Sequence, residues 1–176
     1  IGPGSLDGMT KEAFKAIGDC QVIAGYTVYA DLVKPYFPDK EYLITPMTKE
    51  EARCRMALEC CMKGKDTAMI CSGDSGVYGM AGLILELSAQ YPGVEIKIIP
   101  GVTAACAGAA GLGAPLTHDF AVVSLSDRLT PIEMIWKRIE KAAQADFVIC
   151  LYNPRSKGIP DYLKEACERI MKYRLP

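Results

Sequence analysis

One histidine, His118, and one tryptophan stand among 176 residues. A lone imidazole offers a single base for a Ser-His-Asp arrangement, and no GxSxG elbow supplies its nucleophile, so a hydrolase is weakly supported. There is no GxxxxGK[ST], and no GxGxxG after a first strand, which argues against a P-loop and a dinucleotide fold. No stretch reaches 18 uninterrupted apolar residues, so no membrane span is expected, and no signal peptide is visible. An excess of one charge is also missing. The chain has 20 Lys+Arg against 21 Asp+Glu, a formal net charge of −1. Nucleic-acid binding by mass electrostatics is therefore not expected. Half the residues are hydrophobic, which excludes a disordered chain. The eight cysteines form no CxxC and no Cys/His group with zinc spacing. They are expected to be buried, reduced thiols of a cytoplasmic protein, without a metal.

Short apolar runs alternate with amphipathic stretches. Strands are expected at Cys20–Ala24, Glu41–Ile44, Thr67–Ser72, Val94–Pro100, Phe120–Leu125 and Asp146–Tyr152. Runs such as AMIC and FVICL suit a sheet covered on both faces. Helices are expected at Met9–Ile17, Thr27–Val33, Leu83–Gln90, Thr103–Gly111 and Pro160–Tyr173. Two more open on Thr48-Lys49-Glu50-Glu51 and Thr130-Pro131-Ile132-Glu133, each a capping box, the second with Pro at the first helical position. Strand–helix alternation implies an α/β fold with largely parallel sheets. The turn-rich segment Gly111–Asp119 suggests two α/β lobes, residues 1–116 and 117–176. The chain starts in a turn and ends running off a helix, so it is expected to be a fragment trimmed at both ends.

Three Gly-rich turns are candidate ligand contacts: Gly2-Pro3-Gly4-Ser5, Cys71 to Gly79, and Pro100-Gly101-Val102-Thr103. Ligands of open α/β sheets bind at the carboxyl ends of strands, and glycines there let a ligand reach the backbone. Asp74 in the second turn can hold a ribose hydroxyl or an ammonium. A cleft lined by all three turns is expected, with Pro3, Asp74 and Thr103 facing one cavity.

The GPG turn, SGDSGVYGMAG, PGVTAACAGAAGLGAPLTHDFAVVSLSDRLTP and ADFVICLYNPRSK together resemble the tetrapyrrole (corrin/porphyrin) methylases, and in detail their C(17)-methylating subgroup. GPG and GDxxxYG mark the family broadly. THDFAVVSLSDRLTP and LYNPRS mark the subgroup. Ile132, where Trp is expected, and Gly158-Ile159, where a basic residue is expected, depart from the pattern outside the core motifs. The resemblance implies a two-lobed α/β homodimer, its first lobe built on a mostly parallel sheet and its second incomplete here at the C-terminus. It also implies S-adenosylmethionine as methyl donor. Pro3, Ser72, Gly73, Asp74, Val77, Thr103 and Ala104 would contact that cofactor, with Tyr152 and Asn153 on its adenine side. The implied reaction methylates ring carbon 17 of precorrin-3B or cobalt-precorrin-3, with ring contraction. His118, Asp119 and Tyr78 are candidates for proton handling, with Asp119 or Asp127 orienting His118. Ser126, Asp127, Arg128 and Arg155 are candidates for the tetrapyrrole and its carboxylates. The alternatives are a methylase acting on RNA or protein through the same cofactor, and a non-catalytic cofactor-binding remnant.

Overall fold

A computed structural model describes residues 1–154 and 161–175. The chain divides into two compact units, Ile1–Ala107 and Gly108–Pro176. The division falls inside a helix, nine residues before the 116/117 boundary expected from turn composition.

In the first unit the element order is α1 (Lys11–Asp19), β1 (Val22–Tyr26), α2 (Thr27–Val33), β2 (Glu41–Thr45), α3 (Glu50–Met62), β3 (Thr67–Met69) and α4 (Ala81–Ser88). The strands form one parallel sheet in the order β2-β1-β3. β1 is central, and Val22, Ile23, Ala24 and Gly25 are all buried, as a strand covered on both faces requires. One core cluster joins Ile17, Ile23, Val33, Phe37 and Ile70. A second joins Cys54 and Leu58 of α3 to Leu87 of α4. Parallel pairing sends the C-termini of all three strands to one end, and the turns that follow gather there.

The helix α5 (Ala104–Gly111) leads into the second unit, which holds β4 (Phe120–Ser124), α6 (Ile132–Gln144), β5 (Val148–Tyr152) and α7 (Tyr162–Ile170). β4 and β5 pair in parallel, with Ser124 opposite Tyr152. Ile135, Trp136 and Ile139 of α6 pack with Val123, Leu125 and Ala166. Arg169 lies 4.8 Å from the Trp136 ring centroid and pairs with Glu140 and Glu165, tying α7 to α6.

Several expectations are corrected. Val94–Pro100 forms no strand ladder. Its alternation is real: Val94 and Ile96 pack on the α3–α4 cluster, while Glu95 and Lys97 are exposed. A cavity of about 600 Å³ is lined by residues of both Thr67–Ile70 and Val94–Gly101. The segment pairs with none of the described strands, and alternation without a partner makes no sheet.

Neither capping box forms as expected. Lys49 caps α3 without a side-chain bond, and Thr48 sits at φ 69° with its N–H bonded to Glu50 Oε1 at 3.1 Å. Pro131 is the cap residue of α6 rather than its first helical residue, again without a side-chain bond. A side-chain cap does form at Thr10, whose Oγ1 accepts from the Ala13 N–H at 3.1 Å.

Of the eight cysteines, Cys54 and Cys71 are buried, while Cys106 and Cys167 are exposed. Burial pushes the Cys54 thiol up to about 11. Among the described residues no His/Cys/Asp/Glu group could hold a metal ion, and no helix is long and apolar enough to cross a membrane.

Candidate functional site

The three Gly-rich turns are stitched together by backbone. Gly2 and Gly73 form an isolated antiparallel bridge, N–H to O=C both ways, at 3.1 and 2.8 Å. Gly73 stands at φ 64°, in the left-handed region where glycine is at ease. An added Cβ there would lie 3.6 Å from Thr103 Cα. Gly101 is packed more tightly. A Cβ on it would overlap the Gly73 carbonyl oxygen and lie 3.2 Å from the carbonyl carbon.

Asp74 closes the arrangement. Oδ1 accepts from the Gly76 and Val77 N–H groups at 2.8 and 3.1 Å, and Oδ2 accepts from the Gly101 N–H at 2.9 Å. The Gly101 N–H leads the other backbone donors in holding the carboxyl below its ordinary value, against partial burial, which raises it. Asp74 thus ties the second turn to the third. Three backbone N–H groups take up acceptor positions on its two oxygens, one of them on Oδ2. It contributes a fixed negative charge beside the turn.

The 600 Å³ cavity is lined by Gly73, Ser75 and Gly101 among others, but not by Pro3, Asp74 or Thr103. The expected sharing of one cavity by those three side chains is therefore not what this cavity shows. Pro3, Ser72 and Ala104 are exposed, and Val77 and Thr103 are half-buried. Tyr78, exposed, sits in the same turn as Asp74 at φ 52°.

In the second unit, residues after β4 and β5 gather at the C-terminal end of that sheet. Ser124 Oγ accepts from the Ser126 N–H at 3.2 Å and from Asn153 Nδ2 at 2.9 Å. Asn153 stands at φ 53°, and the Leu125 N–H bonds the Tyr152 carbonyl at 2.8 Å. Asp127 accepts from the Tyr162 hydroxyl at 2.8 Å. Arg128 is exposed. His118 and Asp119, also exposed, precede β4, and the Val148 N–H bonds the Asp119 carbonyl at 3.0 Å. They sit at the opposite end of β4 from Ser126 and Asp127. A five-residue strand spans roughly 16 Å, so Asp127 cannot orient His118. Arg155 lies outside the described residues.

Sequence reasoning missed two residues here. Tyr29 receives a hydrogen bond from Ser72 Oγ at 3.1 Å. Arg53 is 3% exposed, and its Nε donates to Thr45 Oγ1 at 2.8 Å and its Nη2 to the Pro46 carbonyl at 3.2 Å. A signal for Arg53 existed in the helical register it shares with buried Cys54 and Ala57. Tyr29 gave none, because its partner is 43 residues away.

The comparisons agree on this chain. It is 52% identical over 171 residues to a probable cobalt-factor III C(17)-methyltransferase of Salmonella typhimurium, covering 97% of this chain and 71% of that protein. It is 44% identical to the cobalt-factor III methyltransferase of Priestia megaterium, covering all of this chain but 34% of that longer protein. Among solved structures, the methyltransferase CobJ superposes with a TM-score of 0.92 at 37% identity, over 99% of this chain and 74% of that one. The family model for Tetrapyrrole (Corrin/Porphyrin) Methylases matches residues 1–176. With its glycine turns joined at the C-terminal end of a parallel sheet, the chain belongs to the tetrapyrrole (corrin/porphyrin) methylases.

Proposed function

We propose that this chain carries out methyl transfer from S-adenosylmethionine to ring carbon 17 of a tetrapyrrole in cobalamin biosynthesis. The observation that carries this is the stitched glycine turns in a chain 52% identical to a C(17)-methyltransferase. The likeness to cobalt-factor III methyltransferases favours the cobalt-containing substrate over its metal-free counterpart.

The turn chemistry fits the donor. The Ser72 hydroxyl is exposed, and Asp74 is held ionised beside it, which suits a ligand bearing a sulfonium and an ammonium. When bound, the donor supplies an already activated methyl group. The protein's work is placement, because an in-line approach is what converts binding into rate. Pro3, Ser72, Gly73, Asp74, Val77, Thr103 and Ala104 are assigned to the donor, with Asp74 also holding their turns, and Tyr152 and Asn153 to adenine. Ser126, Asp127, Arg128 and Arg155 are assigned to the tetrapyrrole. A guanidinium suits its carboxylates. The active form is proposed to be a homodimer, for which light scattering should give twice the chain mass.

The test is incubation with S-adenosylmethionine and either the cobalt or the metal-free tetrapyrrole, followed by mass analysis. One added methyl on the macrocycle is expected. Methylation of RNA or protein instead, or cofactor binding with no methylated tetrapyrrole, would favour the alternatives.

His118, Asp119 and Tyr78 are proposed for proton handling during ring contraction. General acid–base help is worth about 10²–10⁴ in rate. His118→Ala should therefore lower turnover at least about tenfold while leaving cofactor affinity unchanged. A loss of thermal stability with normal turnover per folded molecule would make His118 a loop anchor.

A further inference from the structure

An aromatic pair stands at the C-terminal end of the first unit's sheet, beside the donor turns. β1 ends at Tyr26 and runs into α2 with no intervening loop. Tyr29 therefore falls in the first turn of α2, and helical side chains lean back toward the helix N-terminus. That direction returns the Tyr29 ring to the strand ends. It meets Tyr26 edge to face, with centroids 5.3 Å apart and planes at 87°. It also packs against the core of Ile17, Ile23, Val33, Phe37 and Ile70. A ring wedged on two sides fixes its hydroxyl in space. Ser72 follows β3, which lies next to β1 in parallel register, and its Oγ shares a hydrogen bond with that hydroxyl at 3.1 Å.

The consequence is for the freedom of the serine hydroxyl. An exposed serine hydroxyl rotates freely and offers a ligand a proton or a lone pair indifferently. Bonded to Tyr29, the Ser72 hydroxyl is held in place instead of rotating. We propose that Tyr29 is a positioning residue that fixes the Ser72 hydroxyl for a hydrogen bond to the amino-acid portion of the methyl donor. This rests on the assignment of S-adenosylmethionine to these turns.

The test compares two ligands by calorimetric titration. S-adenosylhomocysteine carries the amino group, and 5′-methylthioadenosine lacks the whole amino-acid moiety. Tyr29→Phe keeps the ring and removes only the hydroxyl. It should weaken S-adenosylhomocysteine about three- to tenfold and leave 5′-methylthioadenosine unchanged. Ser72→Ala should do the same, and the double variant should be no weaker than Ser72→Ala alone, because the two act as one unit. Unchanged affinity in Tyr29→Phe, equal losses for both ligands, or additive losses in the double variant would overturn the role. Failure of the unaltered protein to bind S-adenosylhomocysteine would instead overturn the donor assignment on which it rests.

Discussion

Gly101→Ala should lose S-adenosylhomocysteine binding by more than about a hundredfold, along with about 2–3 kcal/mol of stability. The added methyl would overlap the Gly73 carbonyl oxygen, and Asp74 Cα lies 3.4 Å away. Both neighbours are backbone, so no side chain can rotate aside. The second and third turns would have to separate, and the Gly101 N–H would leave Asp74 Oδ2, which it now meets at 2.9 Å. Gly82→Ala is the control. Gly82 lies inside α4 with open space around the added carbon, and alanine is the better helix former. That variant should gain about 0.5–1 kcal/mol. Thermal denaturation and calorimetry on both would check this. Normal binding by Gly101→Ala would show that the turns tolerate separation.

Asp74→Ala should weaken the same ligand by about 1–3 kcal/mol, the cost of losing hydrogen bonds to a charged group. The loss acts through the turns, since three backbone N–H groups lose their acceptor at once. Asp74→Asn should be nearly as damaging. Its amide can place oxygen toward Gly76 and Val77 or toward Gly101, but not both. The effect on stability carries a pH signature. The folded-state value of Asp74 lies below its ordinary one, so its contribution is full above the ordinary carboxylate range. It is lost as pH falls through the depressed value. The stability gap between the unaltered protein and Asp74→Ala should therefore hold constant from neutral to mildly acidic pH and close in stronger acid. A gap that persists in strong acid would mean the carboxylate charge is not its source.

Local patterns foretold most elements. Thr27–Val33 matches α2 residue for residue, and parallel strands formed within the expected runs, β5 at Val148–Tyr152 and β3 only at Thr67–Met69, both half-buried rather than fully covered. The motif turns were visible because glycine and proline punctuate them. Their joining was not, since Gly2 and Gly73 meet across 71 positions and no local pattern encodes that. Val94–Pro100 failed for a related reason: alternation reports which side faces the core, while a ladder needs a neighbour. Thr48 looked like a cap by spacing, but the helix starts one residue later, with Lys49 as the cap residue and Thr48 in the left-handed region before it. Asp74 was recognised as important, but its backbone partners were not foreseen. A carboxylate in a turn reads the same whether it faces a ligand or its own backbone. His118 and Asp127 are nine positions apart, yet the strand between them sets them at opposite ends.

The unpaired segment Val94–Pro100 gives the site an uneven rigidity. β1 is locked by ladders on both edges, so its amides should exchange with solvent only when the unit opens globally. The stretch leading to Gly101 has no ladder. Side-chain bonds hold it, from Thr10 Oγ1 to the Pro100 carbonyl at 3.2 Å and from Ser75 Oγ to the Ile99 carbonyl at 2.9 Å. Its amides should exchange orders of magnitude sooner, and the third turn rides on it. Of the three turns, this is the one whose position costs least to change, so a ligand bridging it to the second turn spends part of its binding energy on holding it still.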